Sequence, residues 1–200
     1  MKGGPSNPTD MLKGLGRGKS QSHQGPGHQG PAHQGPPRAP RLLGDLDMRI
    51  AADGTWFYQG TPINRMPLVK LFASVLRRES DGGYWLVTPA ERGPVQVEDA
   101  PFTAVEVTAE GHGPGQRLIF RTNLDEIVAL DEAHPLESRG PAEAPRPYLL
   151  VRDRLEARIL RSVYYHLIEL GEQQGDQFGV WSSGRFFPLG SVEGSVGSTL

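Results

Sequence analysis

Residues Thr61 to Phe72 read TPINRMPLVKLF, and a related pattern recurs where Glu156 to Ile168 read EARILRSVYYHLI. With Arg65 set on Arg161, Ile63 falls on Ile159, Leu68 on Tyr164, Leu71 on Leu167 and Phe72 on Ile168. In the first stretch Asn64 offers a side-chain cap. Pro67 falls in the first turn, where a missing N–H does no harm. Leu68, Leu71, Phe72, Val75 and Leu76 recur at i, i+3, i+4, i+7 and i+8, which makes one apolar helical face. The spacing predicts a helix that Gly82-Gly83 ends. In the second stretch Ser162 is the expected cap, Tyr164, Leu167 and Ile168 point inward, and Gly171 suits the end.

The flanks repeat the order. Asp47 to Asp53 (DMRIAAD) alternates as a strand does, Asp53-Gly54 is a tight-turn dipeptide, and Thr55 to Gln59 (TWFYQ) favours strand. After the first helix, YWLVT (84–88) and Pro94 to Glu98 read as strands. Before the second come YLLVR (148–152) and Leu155 to Leu160; after it come QFGVWS (177–182) and Arg185 to Leu189. Five elements in one order at both ends predict a duplication. Between the copies, FTAVEVT (102–108), QRLIFRT (116–122) and EIVAL (126–130) are further strands, and Asp131 to Pro147 reads as an exposed loop. The expected fold is α+β: two pseudo-repeated strand-strand-helix-strand-strand units, the second enlarged by inserted antiparallel strands into a partial barrel. The expected divisions are a tail over 1–43, units over 44–98 and 99–190, and a flexible end over 191–200.

Composition bounds the function. Residues 1–41 hold nine Gly and seven Pro and no aromatic residue, a bias typical of disordered segments. The repeats HQGPG HQGPA HQGPP (23–37) carry no apolar period, so a linker is the reading, although His23, His28 and His33 could meet on one metal ion. The tail has six Lys or Arg against Asp10, a charge of +5, which leaves −2 − 5 = −7 for the remainder. An acidic body repels phosphate, which argues against duplex nucleic acid as a partner. The chain has no cysteine, hence no disulfide, thiol catalysis or thiolate-bound metal. No stretch is apolar enough for a membrane span or a secretory signal, so the expected location is the cytoplasm.

Arg65 and Arg161 are the leading site candidates. A guanidinium at a helix start opposes the helix dipole, and an acid or a bound anion reverses that sign. If the units pack about a pseudo-twofold axis, both helix starts face one cleft, a site for phosphate or carboxylate. The alternative is a local acid at each arginine, such as Asp47, Asp99 or Glu156. Asp131 and His134 have the spacing of an oriented base, against which stands local loop bonding. Trp56, Tyr58, Trp85 and Trp181 could stack on bases, but alternation along strands predicts core packing. The loop around His112 (GHGPG, 111–115) opens no helix, so it reads as a hairpin loop rather than a phosphate cradle. No HExxH, P-loop or GxSxG motif occurs.

The run DMRIAADGTWFYQGTPINRMPLVKLFASVLRRESDGGYWLVTPAERGPVQVEDAPF, with FRTNLDEIVALDEAHPL, PYLLVRDRLEARILRSVYYHLIELG and GVWSSGRFFPLG, resembles a bacterial family known as domain of unknown function 1285. The resemblance covers Gly44 to Gly190. It implies a duplicated α+β core with a pleckstrin-homology-like C-terminal half, a nucleotide-like ligand between the halves, and a signalling role. It supplies no catalytic residues. Asp47, Arg49, Arg65, Arg121, His134 and Arg161 lie in the matching blocks. The resulting expectation is a non-enzymatic module binding a small anionic or nucleotide-like ligand, with Arg65 and Arg161 holding charge and Trp56 or Tyr165 stacking. No metal or other cofactor is expected. The other readings are a protein-interaction module using a free sheet edge or the basic tail, and an enzyme with an unrecognised site.

Overall fold

The computed structural model describes residues 39–141 and 144–191. The HQGP repeats with His23, His28 and His33, and residues 192–200, lie outside the described residues, as do the expectations placed on them.

The first half begins with the short strand β1 (Arg41–Leu42). It continues with the hairpin β2 (Met48–Ile50) and β3 (Trp56–Tyr58), and with β4 (Thr61–Pro62). Helix α1 (Met66–Ser74) follows. A meander of β5 (Leu76–Arg78), β6 (Tyr84–Val87) and β7 (Glu91–Val97) completes it. Strand β7 lies parallel to β2, which joins hairpin and meander into one sheet of order β4-β3-β2-β7-β6-β5, with β1 also on β7.

The second half adds β8 (Phe102–Glu110), β9 (Arg117–Thr122), β10 (Ile127–Ala129) and β11 (Leu136–Arg139). Then come the hairpin β12 (Arg146–Arg152) and β13 (Leu155–Ile159), helix α2 (Arg161–Glu169), and β14 (Glu172–Gln174), β15 (Gln177–Ser182) and β16 (Arg185–Ser191). The six-stranded sheet runs β10-β9-β8-β13-β12-β11, and β14-β15-β16 form a separate sheet. The described residues are mostly strand with two helices in a two-part, repeat-like organisation. The halves differ in closure. In the first, the meander returns to the hairpin. In the second, β8 takes the parallel place beside β13, and the last three strands stay apart.

Several expectations are corrected. Helix α1 is nine residues long and ends at Ser74, whose hydroxyl donates back to Leu71 O at 2.7 Å. Val75 and Leu76 are buried as expected, but Leu76 belongs to β5 and pairs with Leu86. Gly82-Gly83 therefore turns a hairpin, with Gly82 at φ +89°, a conformation glycine adopts freely. Arg65, not Asn64, is the N-cap of α1, and Leu160, not Ser162, is that of α2; neither makes a side-chain cap bond. The two arginines are thus not equivalent: Arg65 precedes its helix and Arg161 is the first residue of its own. Leu71 and Ile168 are exposed rather than inward. The loop over 131–147 contains the edge strand β11.

One apolar cluster runs through both halves. It includes Trp56, Phe72 and Leu86 from the first, and Phe102, Phe120, Leu149 and Leu167 from the second. Helix α1 buries Val69, Phe72 and Ala73, and α2 buries Val163 and Leu167. The hairpin β15–β16 is tied to the six-stranded sheet by Ser182, whose hydroxyl donates to Leu130 O at 2.6 Å and accepts the Leu118 N–H at 3.0 Å.

Candidate functional site

Strand alternation sends Leu155, Ala157 and Ile159 of β13 inward and leaves Glu156 and Arg158 on the other face. Arg158 spans the two halves. Its Nη2 donates to Ala52 O at 2.9 Å, and its Nε lies 3.3 Å from Asp99 Oδ2. Asp99 also accepts the Tyr148 hydroxyl at 2.6 Å. Burial first, and then this carboxylate, push the Tyr148 hydroxyl above its ordinary range.

Beside Arg158 opens a cavity of about 800 Å³ between the start of β12, the end of β13 and α2. Arg146, Arg158 and Arg161 supply its charge, and Tyr164 and Tyr165 its aromatic walls. Arg161 Nε donates to Tyr165 Oη at 2.9 Å, one helical turn away. Its guanidinium sits 5.6 Å from the centre of that ring. Among the described residues neither Arg146 nor Arg161 makes an ion pair, and the first turn of α2 holds no acid. Two guanidinia without carboxylates, beside the free N–H groups of a helix start, leave positive potential in the cavity.

Two of the three acids expected to neutralise Arg65 and Arg161 are engaged elsewhere. Asp99 serves Arg158. Glu156, 14% exposed, pairs with Arg139 and, at 3.3 Å, with Arg78 of the first half. Arg154 Nη2 donates to Arg78 O at 2.7 Å across the same seam. Further along, Lys70 pairs with Asp125 at 2.7 Å, and Arg152 Nη2 donates to Ala73 O at 2.8 Å. A cavity of about 450 Å³ lies there, but Lys70 and Arg152 on its wall are already paired with Asp125 and Glu126.

Of the residues singled out in the sequence, Arg161 and Tyr165 line the arginine cavity. Arg65 is exposed at the N-cap of α1 and does not line it. Asp47 sits exposed before β2 at positive φ. Arg49 pairs with Glu98 and covers the Phe57 ring at 4.1 Å. Arg121 pairs with Glu106 at 2.7 Å and Asp125 at 3.3 Å. His134 Nδ1 is 3.1 Å from Asp131 Oδ1, which also accepts the His134 N–H, so the pair closes a local loop. Trp56 is 1% exposed and stacks on Phe72 inside the core, as strand alternation predicts; the expectation that it stacks on a ligand is corrected, since no face is left for one. Arg146, Arg158 and Tyr164 were missed, because alternation along β13 marks Arg158 only as outward.

Four carboxyls are held below their ordinary range. The Thr55 N–H does this for Asp53, the Ala52 N–H for Glu98 and Lys70 for Asp125. For Asp131 burial works upward, but the bonds from His134 outweigh it. A carboxyl lowered on folding contributes stability that is complete above its unfolded pKa and is lost as pH falls through the folded value. The unfolding midpoint should therefore hold steady from neutrality to about pH 5 and drop below about pH 4. Urea titrations across that range test this; a decline starting between about pH 7 and 6 would point to a histidine instead.

Among the described residues no helix is long and apolar enough to cross a membrane, and no group of three or more His, Asp or Glu side chains could hold a metal ion. No curated protein matches the chain. Two solved structures do. A DUF1285 family protein from Silicibacter pomeroyi DSS-3 is 49% identical over 77% of this chain and 85% of its own, with a TM-score of 0.73. Another from Shewanella baltica OS155 is 30% identical over 62% of this chain and 91% of its own, with a TM-score of 0.50. The N-terminal domain of unknown function 1285 matches residues 32–100, and the C-terminal domain of the same description matches 101–189. With both domains matched in order across the fold just described, the chain belongs to the DUF1285 family.

Proposed function

We propose that the protein is a non-enzymatic binding module that holds an anionic, nucleotide-like ligand in the arginine cavity and reports its presence in a signalling system. The observation that carries this reading is the pair Arg146 and Arg161 on the wall of one cavity of about 800 Å³, neither with a carboxylate partner among the described residues. A phosphate or carboxylate placed there takes charge-assisted bonds from both guanidinia. Tyr165, 53% exposed, is the aromatic residue available to stack. The link to signalling is Arg158, whose guanidinium lines the cavity and grips Ala52 O of the first half. An anion drawing on Arg158 changes its hold on Asp99 and so the coupling between the halves. Arg65, exposed at the start of α1, has no part in this arrangement.

The test is calorimetric titration of the full chain with ADP and with pyrophosphate, supported by thermal shift. A ligand at a hundred times its Kd adds about 2.7 kcal/mol to stability. Arg146→Ala and Arg161→Ala are each expected to weaken binding by about tenfold, since a hydrogen bond to a charged group contributes about 1.5–3 kcal/mol. Arg65→Ala should leave it unchanged. Equal binding by all three variants would remove the cavity from consideration.

A further inference from the structure

Strand β11 is the last strand of the six-stranded sheet, and β16 the last of the three-stranded one. They lie side by side without pairing, and a groove of about 680 Å³ opens between them. The direction of the backbone groups on β11 follows from two observations. Ser138 stands opposite Pro147, which has no N–H to give, and the Leu150 N–H donates to Pro135 O at 3.0 Å. Bonded and non-bonded pairs alternate along an antiparallel ladder. Pro135, Glu137 and Arg139 therefore face β12, while Leu136 and Ser138 turn their N–H and C=O groups outward into the groove. Among the described residues these outward groups find no backbone partner.

The groove is continuous with the arginine cavity, since Pro145 and Tyr164 line both. One end of the combined trough offers Leu136, Phe178 and Leu189 beside a free strand edge; the other offers Arg146 and Arg161. An acyl chain would satisfy the apolar floor but strand the outward backbone groups without hydrogen bonds. An extended polypeptide satisfies both.

We infer that the trough is a docking site for an extended peptide that adds as a strand to β11 and delivers an acidic side chain or terminal carboxylate to Arg146 and Arg161. This rests on the anion-binding reading of the arginine cavity and names the carrier of the anion. The occupant is set by charge: among the described residues the two guanidinia have no acid paired with them, so the complementary partner is acidic at the end that passes Pro145. Alternate side chains of the added strand face the floor. The four residues of β11 provide only two outward positions, so the acidic end contributes a large share of the affinity.

The test pans random displayed peptides of about ten residues, long enough to span roughly 33 Å when extended, against the full chain. Enriched peptides are then labelled and titrated by fluorescence polarisation, with pyrophosphate titrated in parallel. The expected peptides carry an acid at one end of an alternating apolar run. Their affinity should fall about tenfold in Ser138→Pro, which removes an outward N–H, and about a hundredfold in the double variant Arg146→Ala/Arg161→Ala, which removes two charge-assisted bonds. Pyrophosphate binding should fall only in the arginine variant. Hydrogen exchange of the unaltered chain supplies a readout that needs no variant: the Leu136 and Ser138 amides should gain protection when peptide is bound. Failure to enrich peptides, or peptides that leave those amides unprotected, overturns the docking proposal. If pyrophosphate still depends on the arginines, the anion site survives that failure; if it does not, both fall together.

Discussion

Phe72→Ala is expected to lower the unfolding free energy by about 3–5 kcal/mol, the range for truncating a buried phenylalanine. Phe72 is fully buried, and its ring stacks on Trp56 with centroids 6.3 Å apart and planes 14° from parallel. Nothing local compensates for its loss. Helix α1 has nine residues, no side-chain cap bond and no acid in its first turn. A helix that short does not persist in water without packing. The damage should also reach the seam, because α1 supplies Lys70 to Asp125 and Ala73 O to Arg152. Urea unfolding followed by tryptophan fluorescence measures the effect, with Phe72→Leu as the volume-sparing comparison. A loss under about 1 kcal/mol, the usual size for an average substitution, would mean that α1 is held by its edges rather than by this stack.

Glu156→Ala is expected to cost about 2–3 kcal/mol, somewhat less than the 3–5 found when one partner of a fully buried pair is removed. The reduction reflects exposure. Glu156 is 14% exposed, but Arg78 and Arg139 are 32% and 44% exposed and can regain water. The carboxylate joins the first half, through Arg78, to β11, through Arg139. Its removal leaves Arg78, Arg139 and Arg154 facing one small cavity without that charge to balance them. The loss should shrink in high salt for Glu156→Gln, which keeps an acceptor but no charge, and chemical denaturation at two ionic strengths measures it. If Glu156→Ala changes stability by no more than about 0.5 kcal/mol, the cluster behaves as an ordinary surface pair, and the halves are held by their apolar contacts and the other polar links across the seam.

Local pattern was enough where an element depends on its own residues. The turn Asp53-Gly54 falls where the sequence puts it, with Gly54 at φ +87°. Both helices were legible as apolar stripes beginning near an arginine. The far end of α1 was not. Val75 and Leu76 satisfy a helical period and a strand period equally, and what decides between them is Leu86, ten residues on, waiting as a pairing partner for Leu76. Strand β11 was hidden for a related reason. Its charged, proline-flanked residues look like loop, and an edge strand needs only one neighbour, here β12, to form.

The candidate site divides in the same way. Arg161 and Tyr165, four residues apart on one helix, are neighbours by helical geometry alone. Arg65 seemed their counterpart because two sequence patterns align, but the helices start one residue out of step with that alignment. Sequence cannot show which acid a given arginine will meet. Asp99 reaches Arg158 across 59 residues, and Glu156 reaches Arg78 across 78. Those pairings are made by the sheets that bring the halves together, and among the described residues they leave Arg146 and Arg161 without a carboxylate partner.

By itself, then, the amino-acid sequence determined the strand-rich character, the hairpins, the two helices and the repeat-like order, since each follows from contacts within a few residues. Only the tertiary structure decided where α1 stops, that β8 takes the place beside β13, and which described arginines meet a carboxylate. Each of those outcomes is a competition between partners far apart in the chain, and the winner is set by which groups the packed sheets bring within hydrogen-bonding reach.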